Sequence, residues 1–256
     1  MTLKLERVAV RYGPRTGLAP TSLSLSCGEL VGLIGPNGAG KSSLLKAAAG
    51  VLEAAGSVSW AGRPLEGLPP RERAKIVAYL PQSPAAHWPL AARDLVALGR
   101  LPHRAFGERG GAGDTAAVER ALAECGAESL GDRPLDELSG GERARILLAR
   151  ALAVEAPVLL VDEPIHSLDP YHQLQVMSVL KRYAGPAALV VAVLHDLALA
   201  ARFCSRVVLL SGGAVVGDGA PADVLTDAVL ARYYKVEPYL AMHDGEPVVM
   251  PWRRLG

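Results

Sequence analysis

The chain has 256 residues, 50% of them apolar and 21% charged, which places it among soluble globular proteins with one large domain or two small ones. A formal net charge of +1 and the lack of a basic stripe leave no electrostatic footprint for nucleic acid, so no nucleic-acid partner is expected. Cys27, Cys125 and Cys204 lie far apart with no C-x-x-C pair and read as buried free thiols in a reducing compartment.

The first residues, Met1 to Tyr12, alternate apolar and polar and carry charge, so they read as a strand and not as a signal peptide. Ser22 to Leu25 and Leu30 to Ile34 are further strands, and Lys41 to Ala49 is a helix closed by Gly50. Ser57 to Trp60 is a strand, Pro70 to Lys75 a short charged helix, and Ile76 to Tyr79 another strand. From about Pro84 to Ala153 the pattern turns helical, with helices over Arg93 to Leu101, Thr115 to Cys125 and Gly140 to Ala153. Gly107 to Gly113 reads as a mobile loop between the first two. Alternation then returns: strand Val158 to Val161, helix Pro170 to Tyr183, strand Ala188 to Leu194, helix Leu197 to Phe203. Arg206 to Leu210 and Ala214 to Val216 form a hairpin, Asp223 to Tyr234 is a last helical stretch, and the tail to Gly256 is too short for a further domain. The longest apolar run, Ala187 to Leu194, is far short of a membrane span, so the expected location is cytoplasmic, at most peripheral to a membrane.

Gly35-Pro36-Asn37-Gly38-Ala39-Gly40-Lys41-Ser42 fits G-x-x-x-x-G-K-[ST], set between an apolar strand and a helix. That geometry converges backbone N–H groups and a helix N-terminus on an anion. Gly38 and Gly40 supply backbone freedom and close approach, Lys41 the charge, and the Ser42 hydroxyl suits Mg²⁺. A nucleoside triphosphate site is expected here. Val158-Leu159-Leu160-Val161-Asp162-Glu163 is a second apolar strand, ending in two acids that should face the loop if the sheet is parallel. Asp162 suits Mg²⁺ held through its water shell, and Glu163 suits orienting or deprotonating an attacking water. At Leu138-Ser139-Gly140-Gly141-Glu142 a second Gly-containing turn opens a helix, either as an anion site or as a capped helix start.

Phosphate loop, LSGGE, VLLVDEP, Ser167-Leu168-Asp169 and His195 occur in the order and spacing of the ATP-binding cassette (ABC) ATPases. The chain resembles that family from Leu3 to about Val236. The resemblance implies an α/β fold: a P-loop NTPase core with an antiparallel β subdomain (about 1–83 and 156–236), an inserted all-helical subdomain (about 84–155) and a short tail (237–256). It implies ATP and Mg²⁺ as ligands, with Asn37, Gly38, Ala39, Gly40, Lys41, Ser42 and Ser43 around the phosphates and Tyr12 stacked on adenine. Ser42, Gln82 and Asp162 would hold the metal. Gln82 would also reach the lytic water, Glu163 would activate it, and His195 would sense the γ-phosphate. Two copies would meet head to tail, so that Ser139, Gly140 and Gly141 of one face the phosphate loop of the other, with Asp169 communicating between them. Two departures stand out: Glu142 occupies a position where many members carry Gln, and Ile165-His166 a stretch usually of Thr or Ser type. His87, His103, His166, His172 and His243 lack metal spacing and read as structural or surface residues.

His87-Trp88-Pro89-Leu90, Arg93 to Arg100 and Pro102-His103 resemble the ATPases of iron-chelate, haem and cobalamin importers. The implied role is the ATP-hydrolysing subunit of such an importer, peripheral on the cytoplasmic face of the bacterial inner membrane. Its implied partners are a permease dimer, contacted through about Pro81 to His103, and a periplasmic substrate-binding protein. The alternatives are a non-transport ABC ATPase of DNA repair or translation, and the ATPase of another transporter class such as metal import or export. The stretch between phosphate loop and LSGGE has no sustained heptads, and the chain carries one cassette, which favours the importer.

Overall fold

The computed structural model describes residues 1–82, 90–105 and 107–256. In chain order the strands and helices are β1 (Thr2–Tyr12), β2 (Arg15–Ser26), β3 (Leu30–Ile34), α1 (Lys41–Ala49), β4 (Ala55–Trp60), β5 (Arg63–Pro64), α2 (Pro70–Ile76), β6 (Val77–Leu80), α3 (Ala92–Ala97), α4 (Ala112–Glu124), α5 (Gly140–Leu152) and β7 (Val158–Asp162). They continue with α6 (Pro170–Tyr183), β8 (Leu189–Val193), α7 (Leu197–Phe203), β9 (Arg206–Ser211), β10 (Ala214–Gly219), α8 (Pro221–Val224), α9 (Asp227–Tyr234), β11 (Val236–His243) and β12 (Glu246–Arg254). His87, Trp88 and Pro89, part of the segment read as facing a permease, lie outside the described residues.

The central sheet runs β10-β9-β3-β8-β7-β6, parallel except for its edge strand β10. Strands β3, β7 and β8 are buried along their whole length, because helices and a second sheet cover the two faces. Strands buried on both faces read as unbroken apolar runs, and that is how these three stand out in the sequence. The second sheet, β2-β1-β4-β5, is antiparallel and shares a core with α1 and one face of the central sheet. The other face packs on α3 to α7 in a separate core. In a parallel sheet the strand ends gather on one side. The phosphate loop after β3, Gln82 after β6, Glu163 after β7 and His195 after β8 therefore share one edge.

Several elements differ from the sequence reading. Strand β2 begins at Arg15 rather than Ser22, because Tyr12 pairs with Arg15 in a tight turn and the register continues from there. The helix expected over Arg93 to Leu101 is α-helical only to Ala97 and tightens into a 3₁₀ turn over Leu98–His103. Helix α4 starts inside the Gly-rich stretch expected to be a loop, at Ala112. The last helical stretch is two helices, and Thr226 caps the second by accepting from the Val229 N–H. The tail, read only as too short for a further domain, forms a hairpin. Strands β11 and β12 pair around Asp244-Gly245, and β12 lies along α7 with Val249 buried. Arg202 on α7 donates to Glu246 at 2.5 Å. Cys125 and Cys204 are buried as expected, whereas Cys27 is only half-buried.

Candidate functional site

The phosphate loop takes its shape from what a side chain would hit. Gly40 has φ of 99°, and a Cβ there would lie 2.6 Å from the Gly17 carbonyl of β2. Gly35, at φ of 146°, would place a Cβ 2.1 Å from the Leu210 carbonyl of β9. The glycines thus let the loop pass between two sheets, besides leaving room for phosphates. Lys41, 6% exposed, donates from Nζ to the loop's own carbonyls, Gly35 at 2.7 Å and Pro36 at 3.0 Å. Burial lowers its ammonium below the ordinary lysine value, and the carboxylates of Glu163 and Asp162 oppose that shift.

Asp162, at the end of β7, is 2% exposed. The Ser42 hydroxyl donates to its Oδ1 at 2.9 Å, and the Tyr79 hydroxyl donates to its Oδ2 at 3.4 Å. Burial raises the Asp162 carboxyl above its ordinary value, against the pull of the Ser42 hydrogen bond. Tyr79 is raised too, first by burial and then by the neighbouring carboxylate, so it remains a donor through the neutral range.

Glu163 follows immediately, with a left-handed φ of 53° that non-glycine residues seldom adopt. Its carboxylate is held from two sides: Gln82 Nε2 donates to Oε2 at 2.6 Å, and His195 Nε2 lies 2.7 Å from Oε1. His166 Nδ1 stands 3.7 Å from Oε2, so one of the histidines set aside on sequence joins this cluster.

A cavity of about 520 Å³ is lined by Tyr12, Asn37, Gly38, Ala39, Gly40, Lys41, Ser42, Ser43, Glu163 and His195, while Gln82 and Asp162 reach it only through Glu163 and Ser42. Arg15, Thr16 and Gly17 line it as well, and the sequence reading missed all three. The Tyr12 ring sits over Gly17, where a Cβ would come within 2.5 Å of it, and the Tyr12 hydroxyl is 3.2 Å from Ser43 Oγ.

The remaining predicted residues lie elsewhere in the chain, outside that cavity lining. Ser139 caps α5 in a reciprocal box: the Glu142 N–H donates to its Oγ at 3.3 Å, and its own N–H donates to Glu142 Oε2 at 2.8 Å. Those bonds lower the Glu142 carboxyl below its ordinary value, and Arg133 Nη1 donates to the other oxygen at 3.0 Å. A Gln could make the same cap, so Glu142 keeps the turn intact. Asp169 caps α6, accepting from the His172 N–H at 3.0 Å and pairing with His172 Nδ1 at 2.8 Å. The His172 ring fills the place of a Cβ on Gly141, 2.8 Å from where that atom would be.

The atoms gathered at Asp162 are oxygens: its own carboxylate and the Ser42 and Tyr79 hydroxyls. A hard divalent cation such as Mg²⁺ fits such a set, taken together with substrate phosphates. Among the described residues no cluster of three or more His, Cys, Asp or Glu is arranged to hold a metal alone.

The chain is 41% identical over 257 residues to a hemin import ATP-binding protein of Bordetella avium, covering 96% of this chain and 97% of that protein. It is 42% identical over 237 residues to a cobalamin import ATP-binding protein of Halobacterium salinarum, covering 91% and 59% respectively. A dimeric ATP-binding cassette in a post-hydrolysis state, bound to ADP and Pi, superposes with a TM-score of 0.73 at 27% identity, covering 86% of this chain and 98% of that one. Residues 18–166 match the ABC transporter family. A phosphate loop facing paired acids at the strand ends, on this fold and with these relatives, makes the chain an ATP-hydrolysing member of the ABC transporter family.

Proposed function

We propose that the chain is the ATP-hydrolysing subunit of an importer for haem, cobalamin or an iron chelate, acting as a pair of copies on a separate membrane permease. The observation that carries the catalytic part is Glu163, whose two carboxylate oxygens are fixed by Gln82 and His195 beside the phosphate loop. A carboxylate so held can orient a water and take its proton as the γ-phosphate leaves. Lys41 would exchange its loop carbonyls for phosphate oxygens, and Asn37 to Ser43 would supply N–H donors around them. Mg²⁺, held by Ser42, Gln82 and Asp162, would neutralise charge on the phosphates. Tyr12 would stack on the adenine.

Ser139, Gly140, Gly141 and Asp169 lie outside the cavity of their own chain. This supports a head-to-tail pair in which a second copy supplies them to the nucleotide, as does the dimeric cassette that the fold matches. We infer a helical subdomain over about 84–155 set into a core of about 1–83 and 156–236. No described helix is long and apolar enough to cross a membrane. Leu98 and Leu101, 42% and 56% exposed in the segment Pro81 to His103, offer that permease an apolar contact. A periplasmic binding protein would deliver the cargo, and the chain would sit on the cytoplasmic face of the inner membrane.

The cargo class follows the hemin and cobalamin import relatives. The test is purification of the tagged chain from its native membranes with identification of its partners. Recovery of a many-spanning permease, with ATP hydrolysis that rises when haem or cobalamin is supplied with its binding protein, supports the reading. Recovery of ribosomes or DNA-repair proteins overturns it.

A further inference from the structure

Arg100 is one of few charged residues buried among the described residues, at 8% exposure, and it does not line the nucleotide cavity. Its guanidinium reaches three partners: Asp114 Oδ1 at 3.0 Å, the Ala153 carbonyl at 2.7 Å and Glu155 Oε2 at 2.8 Å. Ala153 and Glu155 close α5, the helix that Ser139, Gly140 and Gly141 open. Two neighbours grip the same helix end. Gly99 lies so close that a Cβ would stand 2.3 Å from the Arg150 carbonyl, and His103 Nε2 is 2.8 Å from the Val154 carbonyl. Arg104 and Arg120 complete the network from outside, on Asp114 at 2.7 Å and Glu155 at 2.8 Å. Leu98 and Leu101 of the same turn are exposed, and Arg71 of α2 donates to the Pro102 carbonyl at 2.9 Å.

A buried ion pair contributes little net stability against apolar packing of the same volume, but it fixes one geometry and resists sliding. We propose that Gly99, Arg100 and His103 lock the 3₁₀ turn Leu98–His103 to the end of α5 as one lever, so that force applied by the membrane partner at Leu98 and Leu101 moves Ser139–Gly141 at the other end. Arg100 is then a positioning residue for partner-driven hydrolysis. This rests on the importer reading given above.

The test uses the permease that co-purifies with the tagged wild-type chain, reconstituted in liposomes. Hydrolysis by the complex is divided by hydrolysis of the isolated chain, for wild type, Arg100→Gln and the more exposed Glu155→Gln. Expected is unchanged permease recovery with a stimulation ratio about tenfold lower for Arg100→Gln and a smaller drop for Glu155→Gln. A purely structural role predicts a lower melting temperature with the ratio intact, and that result overturns the lever. Loss of permease recovery makes Arg100 a docking contact and also overturns it. If Arg100→Gln does not fold, a wild-type ratio in Glu155→Gln is the overturning result. Failure of the wild-type chain to bring down any permease sinks the importer reading, and the lever with it.

Discussion

Gln82 donates from Nε2 to Glu163 Oε2 across 2.6 Å, although 81 residues of sequence separate them. Each sits just past the end of a strand, β6 and β7, and those strands are neighbours in parallel register. The backbone register therefore brings the amide to the carboxylate.

Glu163→Gln keeps the shape and the partners of this side chain but removes its basicity. Phosphate release should fall by about 10²-fold to 10⁴-fold while ATP binding persists. Steady-state hydrolysis and a fluorescent-nucleotide titration on the same sample measure both quantities. Undiminished hydrolysis would show that Glu163 is not the base.

Lys41→Ala deletes a buried ammonium whose donors now rest on Gly35 and Pro36. Hydrogen bonds to charged groups contribute about 1.5–3 kcal/mol, so ATP affinity should weaken by about tenfold to a hundredfold. Binding at wild-type strength would count against the entire phosphate-site assignment.

Tyr79→Phe removes the hydroxyl on Asp162 Oδ2 and nothing else of size. With about 1 kcal/mol lost from one neutral donor, the Mg²⁺ concentration for half-maximal hydrolysis should rise severalfold. Nucleotide binding in the presence of a chelator should not change. An unaltered Mg²⁺ requirement would leave Tyr79 as simple packing.

Burial pushes the Cys125 and Cys204 thiols from the ordinary 9.0 up to about 12. The folded state holds these protons to higher pH than the unfolded state does. Their contribution to stability is therefore complete below about pH 9 and is lost as pH rises toward 12. A melting-temperature series over that range should fall. At about pH 8 a thiol reagent should modify Cys27 alone in the native chain and all three cysteines after unfolding. Rapid modification of Cys204 in the native chain would contradict its burial.

What was legible in the sequence was what is local. The phosphate loop, its flanking strand and helix, and the acids after β7 are contiguous, and α1, α6 and α7 begin and end where their caps and periodicity place them. Tyr79 was not legible as a site residue, because its partner lies 83 residues away and only the β6–β7 register brings them together. Arg15 and Gly17 were hidden for the same reason, in a strand whose start was read seven residues too late. The terminal hairpin did carry a signal, Asp244-Gly245 between His243 and Glu246, but Pro238, Pro247 and Pro251 obscured the alternation around it.

That hairpin bears on chemistry it never touches. Helix α7 starts at Leu197, two residues after His195, and its outer side rests on β12 through Val249 and the Arg202–Glu246 pair. The last strand thus acts as a buttress behind the histidine. A chain cut after Lys235 would retain every residue that lines the nucleotide cavity, yet would uncover the side of α7 that β12 now covers. The hairpin therefore backs a helix that begins two residues after a side chain of the nucleotide cavity.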